Sequence, residues 1–259
     1  MSLIIFTNLD ILLPPLEEQN YESVISVIQE LKHKNIPLIL ITDNTRAEIT
    51  SLSQKIGLND PLIVEQGSGI FIPQDNHLLI TSETTKVDDY HLYQLGCTYT
   101  EARAALKAVQ EEIGKILRGF GDLDEEDIQP LIGSSLAMAR RAKAREFSEY
   151  FLTPNRIAIQ ELRQVATEYG FKIIFGDRLS LIMGQGADPK KAVQWLIQNY
   201  QTVSQDKLTP VGLGQIDGNV AEALDTLTLV DVPKNQDWQT DFISAWVKSI
   251  RQICQDYHD

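Results

Sequence analysis

The chain has 259 residues, with 36 Asp and Glu against 23 Lys and Arg, for a formal charge of −13 with His neutral. Its apolar fraction of 43% is enough for a substantial core and too high for a disordered tail. A balance this acidic argues against a general nucleic-acid binder, which needs a basic footprint on phosphate, and against adhesion to anionic membranes.

The first third alternates strands with helices. Leu3-Ile4-Ile5-Phe6 is a continuous apolar run of the kind a buried parallel strand shows. Residues 20–34 carry Tyr21, Val24, Ile25, Ile28 and Leu31 at helical spacing, and Pro37 to Ile41 is a second strand. Thr45 to Lys55 follows as a helix and Pro61 to Val64 as a third strand. Right-handed crossovers in such a β-α-β-α-β unit align the strand C-termini along one edge.

The middle changes character. Two short β-like runs, 70–72 and 78–80, precede polar sequence to about residue 89. Helices are predicted near 100–117, 124–132, 134–147 and 155–169, with strand-like runs at 150–152, 171–175 and 179–183. This reads as an α+β unit inserted into the first. An acidic run, Asp122 and Asp124 to Asp127, precedes a basic cluster of Arg140, Arg141, Lys143 and Arg145. Both read as solvated surface, and the basic cluster also suits an anionic small molecule.

The α/β rhythm then returns, with a helix over 190–199, a strand within 208–213, a helix over 220–224 and a strand at 227–230. A last helix near 238–257 aligns Trp238, Phe242, Trp246, Ile250 and Ile253 in one apolar stripe, a packing face or a partner surface. Cys97 and Cys254 are too few for a disulfide framework or a thiolate metal site. No basic segment leads into an apolar one at the start and no run of 18 apolar residues occurs, so a cytoplasmic protein with no membrane span is expected.

The first strand runs into Thr7-Asn8-Leu9-Asp10, the position where open α/β sheets carry their ligand chemistry. This stretch resembles the opening D-x-D-G-T motif of haloacid dehalogenase-like (HAD) phosphatases, and mannosyl-3-phosphoglycerate phosphatases and related sugar-phosphate phosphatases in particular. Further matches are Ile41-Thr42-Asp43-Asn44-Thr45-Arg46-Ala47-Glu48, Pro61 to Gly67, Gly119-Phe120-Gly121-Asp122, Arg145-Glu146-Phe147-Ser148-Glu149 and Gly176-Asp177-Arg178. The resemblance runs over nearly the whole length. It implies a Rossmann-like parallel-sheet core (1–85 and 188–259) with an inserted α+β cap (86–187), and a site between them.

In the family, the first Asp of the pair attacks phosphorus and the second acts as acid and base. A Ser or Thr and a Lys hold the phosphoryl group, and carboxylates hold Mg²⁺. The resemblance puts Asn8 at the nucleophile position and Asp10 at that of the acid/base, with Ile11-Leu12 replacing Gly-Thr. Thr42 matches the phosphate-holding hydroxyl, and Asn44 replaces a basic or small polar residue. Pro189 falls at the Lys position, leaving Lys190 and Lys191 as the phosphate-binding candidates. In the metal loop Gln215 and Asn219 replace carboxylates, with Asp217 between them, so Asp10, Gln215, Asp217 and Asn219 form a weak metal set.

Arg145, Glu146, Glu149 and Arg178 match cap positions tied to the substrate, although Tyr150 and Leu181 depart from the common Pro and His. A turn at Gly176-Asp177 and an Arg145–Glu149 pair within a helix are the structural readings of the same residues. The expectation is a pseudophosphatase binding a phosphorylated or acidic sugar or a protein partner, with no certain cofactor. The alternative is a Mg²⁺-dependent phosphatase acting on a mannosyl- or glucosyl-3-phosphoglycerate-like sugar phosphate.

Overall fold

Continuous apolar runs become the interior of a sheet. A computed structural model describes residues 2–10, 21–154, 159–214, 228–231 and 238–257, with the backbone alone at 228–231 and 238–241. Strand β1 (Ser2–Thr7) is followed by α1 (Glu22–His33), β2 (Leu38–Ile41), α2 (Arg46–Ile56), β3 (Leu62–Val64) and β4 (Gly69–Pro73). Helix α2 starts on a capping box, in which Thr45 and Glu48 satisfy each other's backbone N–H, and stops at the left-handed Gly57.

A hairpin of β5 (Thr85–Val87) and β6 (Tyr90–Gln94) comes next. Then follow α3 (Tyr99–Ile113), α4 (Glu125–Ile132), α5 (Leu136–Lys143), β7 (Ser148–Leu152), α6 (Ile159–Glu168), β8 (Phe171–Ile174) and β9 (Leu179–Gly184). The chain continues through α7 (Pro189–Val203), β10 (Leu208–Gly214), β11 (Thr228–Asp231) and α8 (Trp238–Asp256).

Among the described residues one sheet has the order β11-β10-β1-β2-β3-β4-β6-β5, parallel from β11 to β3 and antiparallel beyond. A second, antiparallel sheet, β7-β9-β8, forms the inserted unit with α3 to α6. Apolar side chains cover both faces of the larger sheet. Leu3, Ile5 and Leu40 pack towards α1, α2 and α8, whereas Ile4, Phe6, Ile39 and Ile41 pack towards α7.

Several expected boundaries shift. The run 78–80 is a turn of 3₁₀ helix, His77–Leu79, rather than a strand. Strand β6 was not anticipated and pairs with β4, so the core sheet extends to Gln94 and the cap begins near Leu95 rather than at 86. That pairing joins residues about 20 apart, beyond the reach of local periodicity. The helix expected over 134–147 ends at Lys143, so Arg145 and Glu149 form no helical pair. Residues 155–158 and the helix expected over 220–224 lie outside the described residues.

The acidic run and the basic cluster partly face each other: Arg140 meets Glu125 at 3.1 Å and Lys143 donates to the Leu123 carbonyl at 2.5 Å. Phe242, Trp246, Ile250 and Ile253 of the last helix are buried, which makes this stretch of the stripe core rather than partner surface. The side chain of Trp238 lies outside the described residues. Among the described residues no helix is long and apolar enough to cross a membrane.

Candidate functional site

The ends of β1 and β2 lie side by side, with Thr7 opposite Leu40 in register. The residues just beyond them meet. Asn8 donates from Nδ2 to Asp10 Oδ2 at 3.1 Å and accepts the Asp10 N–H on Oδ1 at 2.7 Å. Thr42 donates its hydroxyl to the other oxygen of Asp10. The same Thr42 oxygen accepts from the Asn44 N–H and from Asn44 Nδ2, both at 3.0 Å. The hydroxyl expected to hold a phosphoryl group is therefore occupied within the chain.

Desolvation raises the Asp10 carboxyl above its ordinary range, against the lowering effect of the Thr42, Asn8 and Asn44 hydrogen bonds. Asp43, between the two hydrogen-bonding residues, is pushed up to about 7, first by burial and then by the Asp10 charge, with Arg145 acting the other way. Its Oδ1 is buried with no hydrogen-bond partner. Sequence reasoning had passed over Asp43, although it sits inside the matched motif.

The cap contributes Arg145, almost fully buried. Its Nε donates to Ser148 Oγ at 2.7 Å and lies 3.3 Å from Glu65 Oε2. Nη2 donates to the Asp43 carbonyl at 3.1 Å, and the guanidinium lies 4.4 Å from the Tyr150 ring centroid. Arg145 thus bridges cap and core. Neighbouring Glu146 receives Arg46 on both carboxylate oxygens, at 3.1 and 2.9 Å. Glu149, wholly buried, accepts from Arg103 at 2.9 Å and from the Gly121 N–H at 2.8 Å. Burial raises its pKa, and its Oε2 has no hydrogen-bond partner.

The remaining candidates are more peripheral. Arg178 donates to the Pro130 carbonyl at 3.3 Å. Lys190 and Lys191 lie in the first turn of α7, whose N-cap Asp188 accepts from both backbone N–H groups. Pro189 occupies the first helical position, which suits its missing N–H. Gln215, Asp217 and Asn219 lie outside the described residues, as do Ile11 and Leu12. Arg46, Glu65 and Arg103, which sequence reasoning did not single out, hold the cap candidates. Glu65 could have been noticed as a charge following a buried strand.

Magnesium would need oxygen donors free to face it. Asn8 Oδ1 accepts the Asp10 N–H, and each Asp10 oxygen accepts one hydrogen bond, from Thr42 or Asn8, which leaves each oxygen a second lone pair. Among the described residues no group of three or more His, Cys, Asp or Glu is placed to hold a metal. Of the expected metal set only Asp10 lies among the described residues, and no chemical step through the ion is derived from it.

A parallel α/β core with an inserted α+β cap and a site at the end of β1 defines the HAD architecture. A phosphatase of that superfamily from Bacteroides thetaiotaomicron superposes with a TM-score of 0.60 over 97% of this chain and 95% of its own, at 11% identity, a likeness of fold. No family model matches the sequence. The glucosyl-3-phosphoglycerate/mannosyl-3-phosphoglycerate phosphatase of Methanococcoides burtonii is 32% identical over 234 residues, 90% of this chain and 84% of that protein. The mannosyl-3-phosphoglycerate phosphatase of Pyrococcus furiosus is 30% identical over 230 residues, 89% of this chain and 91% of its own. This chain belongs to the mannosyl-3-phosphoglycerate phosphatase family of the HAD superfamily.

Proposed function

We propose that the protein binds a sugar phosphate of the mannosyl- or glucosyl-3-phosphoglycerate type between core and cap. The ligand class rests on the relatives, which are named as phosphatases of those compounds. Kinship supports hydrolysis of the phosphomonoester more strongly than it supports loss of activity. The chemistry at the end of β1 supports binding without turnover.

One observation carries that second point. Phosphoryl transfer through a covalent intermediate needs a competent nucleophilic side chain, and a carboxamide is a poor one. Residue 8 is a carboxamide, and its amide N–H and its oxygen are both engaged with Asp10. The reading we adopt is a pseudophosphatase that retains the fold of the family and recognises its class of ligand. Mg²⁺-dependent phosphatase activity is the second reading, favoured by relatives 32% and 30% identical over most of the chain.

Purified protein incubated with Mg²⁺ and mannosyl- or glucosyl-3-phosphoglycerate, with phosphate release and calorimetric binding followed in parallel, separates the two. Binding with no phosphate release is expected. Robust release that disappears in Asp10→Asn would overturn the reading and establish the phosphatase.

A further inference from the structure

The turn after β3 has a strained backbone. Glu65, Gln66 and Gly67 take φ of 47°, 59° and 72° in succession, a left-handed conformation that non-glycine residues seldom adopt. Four segments converge on it. The Glu65 and Gln66 N–H groups donate to the Asn44 and Thr42 carbonyls, at 3.2 and 3.4 Å, which ties the turn to the loop around Asp10. The Ser68 carbonyl accepts from Leu95 and Gly96, both at 2.9 Å, where the chain enters the cap. The Gly67 carbonyl accepts from Asp188 at 3.4 Å, where the chain leaves it.

The fourth contact is made by the Glu65 side chain, which is completely buried. It accepts the Glu146 N–H at 2.8 Å and the Phe147 N–H at 3.2 Å, receives the Ser148 hydroxyl, and pairs with Arg145 at 3.3 Å. These donors belong to the cap, about 80 residues further along the chain. The two crossings are themselves close-packed: a Cβ at Gly186 would lie 2.2 Å from the Leu95 carbonyl oxygen. Two adjacent crossings form a single hinge, about which a cap can swing. A third attachment away from them removes that freedom.

The structure assigns Glu65 the role of a positioning residue, a latch that fixes the cap in register over the Thr42–Asn44 loop by holding residues 145–148. It acts through Arg145, which it pairs with and which reaches the Asp43 carbonyl. The inference does not depend on whether the site turns a ligand over. A buried carboxylate holding two backbone N–H groups, a hydroxyl and a guanidinium leaves them unsatisfied when it is removed, which makes the latch cooperative.

Amide hydrogen exchange on the full chain tests this with Glu65→Gln, which keeps the side-chain shape but loses the charge, and the milder Ser148→Ala. In Glu65→Gln, exchange at Glu146 and Phe147 is expected to rise at least about tenfold. Exchange at Leu95 and Gly96, which bond Ser68 and not Glu65, rises with it, while Ile182 within the cap and Ile39 within the core stay within about twofold. Ser148→Ala produces a smaller change with the same pattern. A rise confined to residues 146 and 147 would reduce Glu65 to a local hydrogen-bond acceptor and overturn the latch. An equal rise at Ile39, or no rise in either variant, would overturn it as well.

Discussion

Asp43→Asn is expected to stabilise the protein at neutral pH and leave it nearly unchanged in acid. The Asp43 carboxyl titrates at about 7 in the folded chain against an ordinary 3.8, because burial and the Asp10 charge disfavour its anion. Well below pH 3.8 both folded and unfolded chains carry the neutral acid. As pH rises the unfolded chain ionises first, and the native state loses stability until its own carboxyl ionises near pH 7. At about 1.4 kcal/mol per pH unit, the rise from 3.8 to about 7 corresponds to a loss of about 4 kcal/mol between those limits. The carboxamide of the variant has no charge to form. Urea unfolding of both proteins at pH 4.5 and pH 8 checks this: the variant gains on the wild type by several kcal/mol between the two. Asp60, which burial raises to about 6 and which is not among the groups that shift Asp43, remains in both proteins and largely cancels in the comparison. The same stability difference at both pH values would refute the reasoning.

Three further perturbations test other parts of the structure. Gly67→Ala puts a Cβ at φ +72° only 2.3 Å from the Pro189 nitrogen, so chemical denaturation should show a loss of more than about 2 kcal/mol. Trp246→Phe removes the 3.0 Å hydrogen bond to Thr7 Oγ1 from a fully buried site and leaves a void, lowering the stability measured by urea unfolding by about 2–4 kcal/mol. Cys97, its thiol pushed up to about 11 by burial, should react with iodoacetamide at pH 8 about 100-fold more slowly than an ordinary cysteine, as mass spectrometry of the folded protein would report.

Much of the core was legible because its strands are short runs of uninterrupted apolar residues. Leu3 to Phe6 and Pro37 to Ile41 had to be covered on both faces, and they lie within or beside β1 and β2. The β5–β6 hairpin was not legible. Its strands are polar and half-exposed, and β6 is defined by pairing with β4 rather than by its own pattern. The cap candidates were recognisable by motif but not by partner. Glu149 meets Arg103 and Glu146 meets Arg46, contacts spanning 46 and 100 residues.

The sequence by itself determined the alternation that builds the parallel sheet, the family resemblance, and the carboxamide at residue 8, because residue identity and short-range period are local properties. The tertiary structure decided what that residue touches. Asn8 turns inward to Asp10, Asp43 is left with an unpartnered oxygen beside it, and Glu65 reaches across to Arg145 and Ser148. Those outcomes depend on burial and on contacts between residues far apart in the chain, which shift charge energies by amounts that no local pattern encodes.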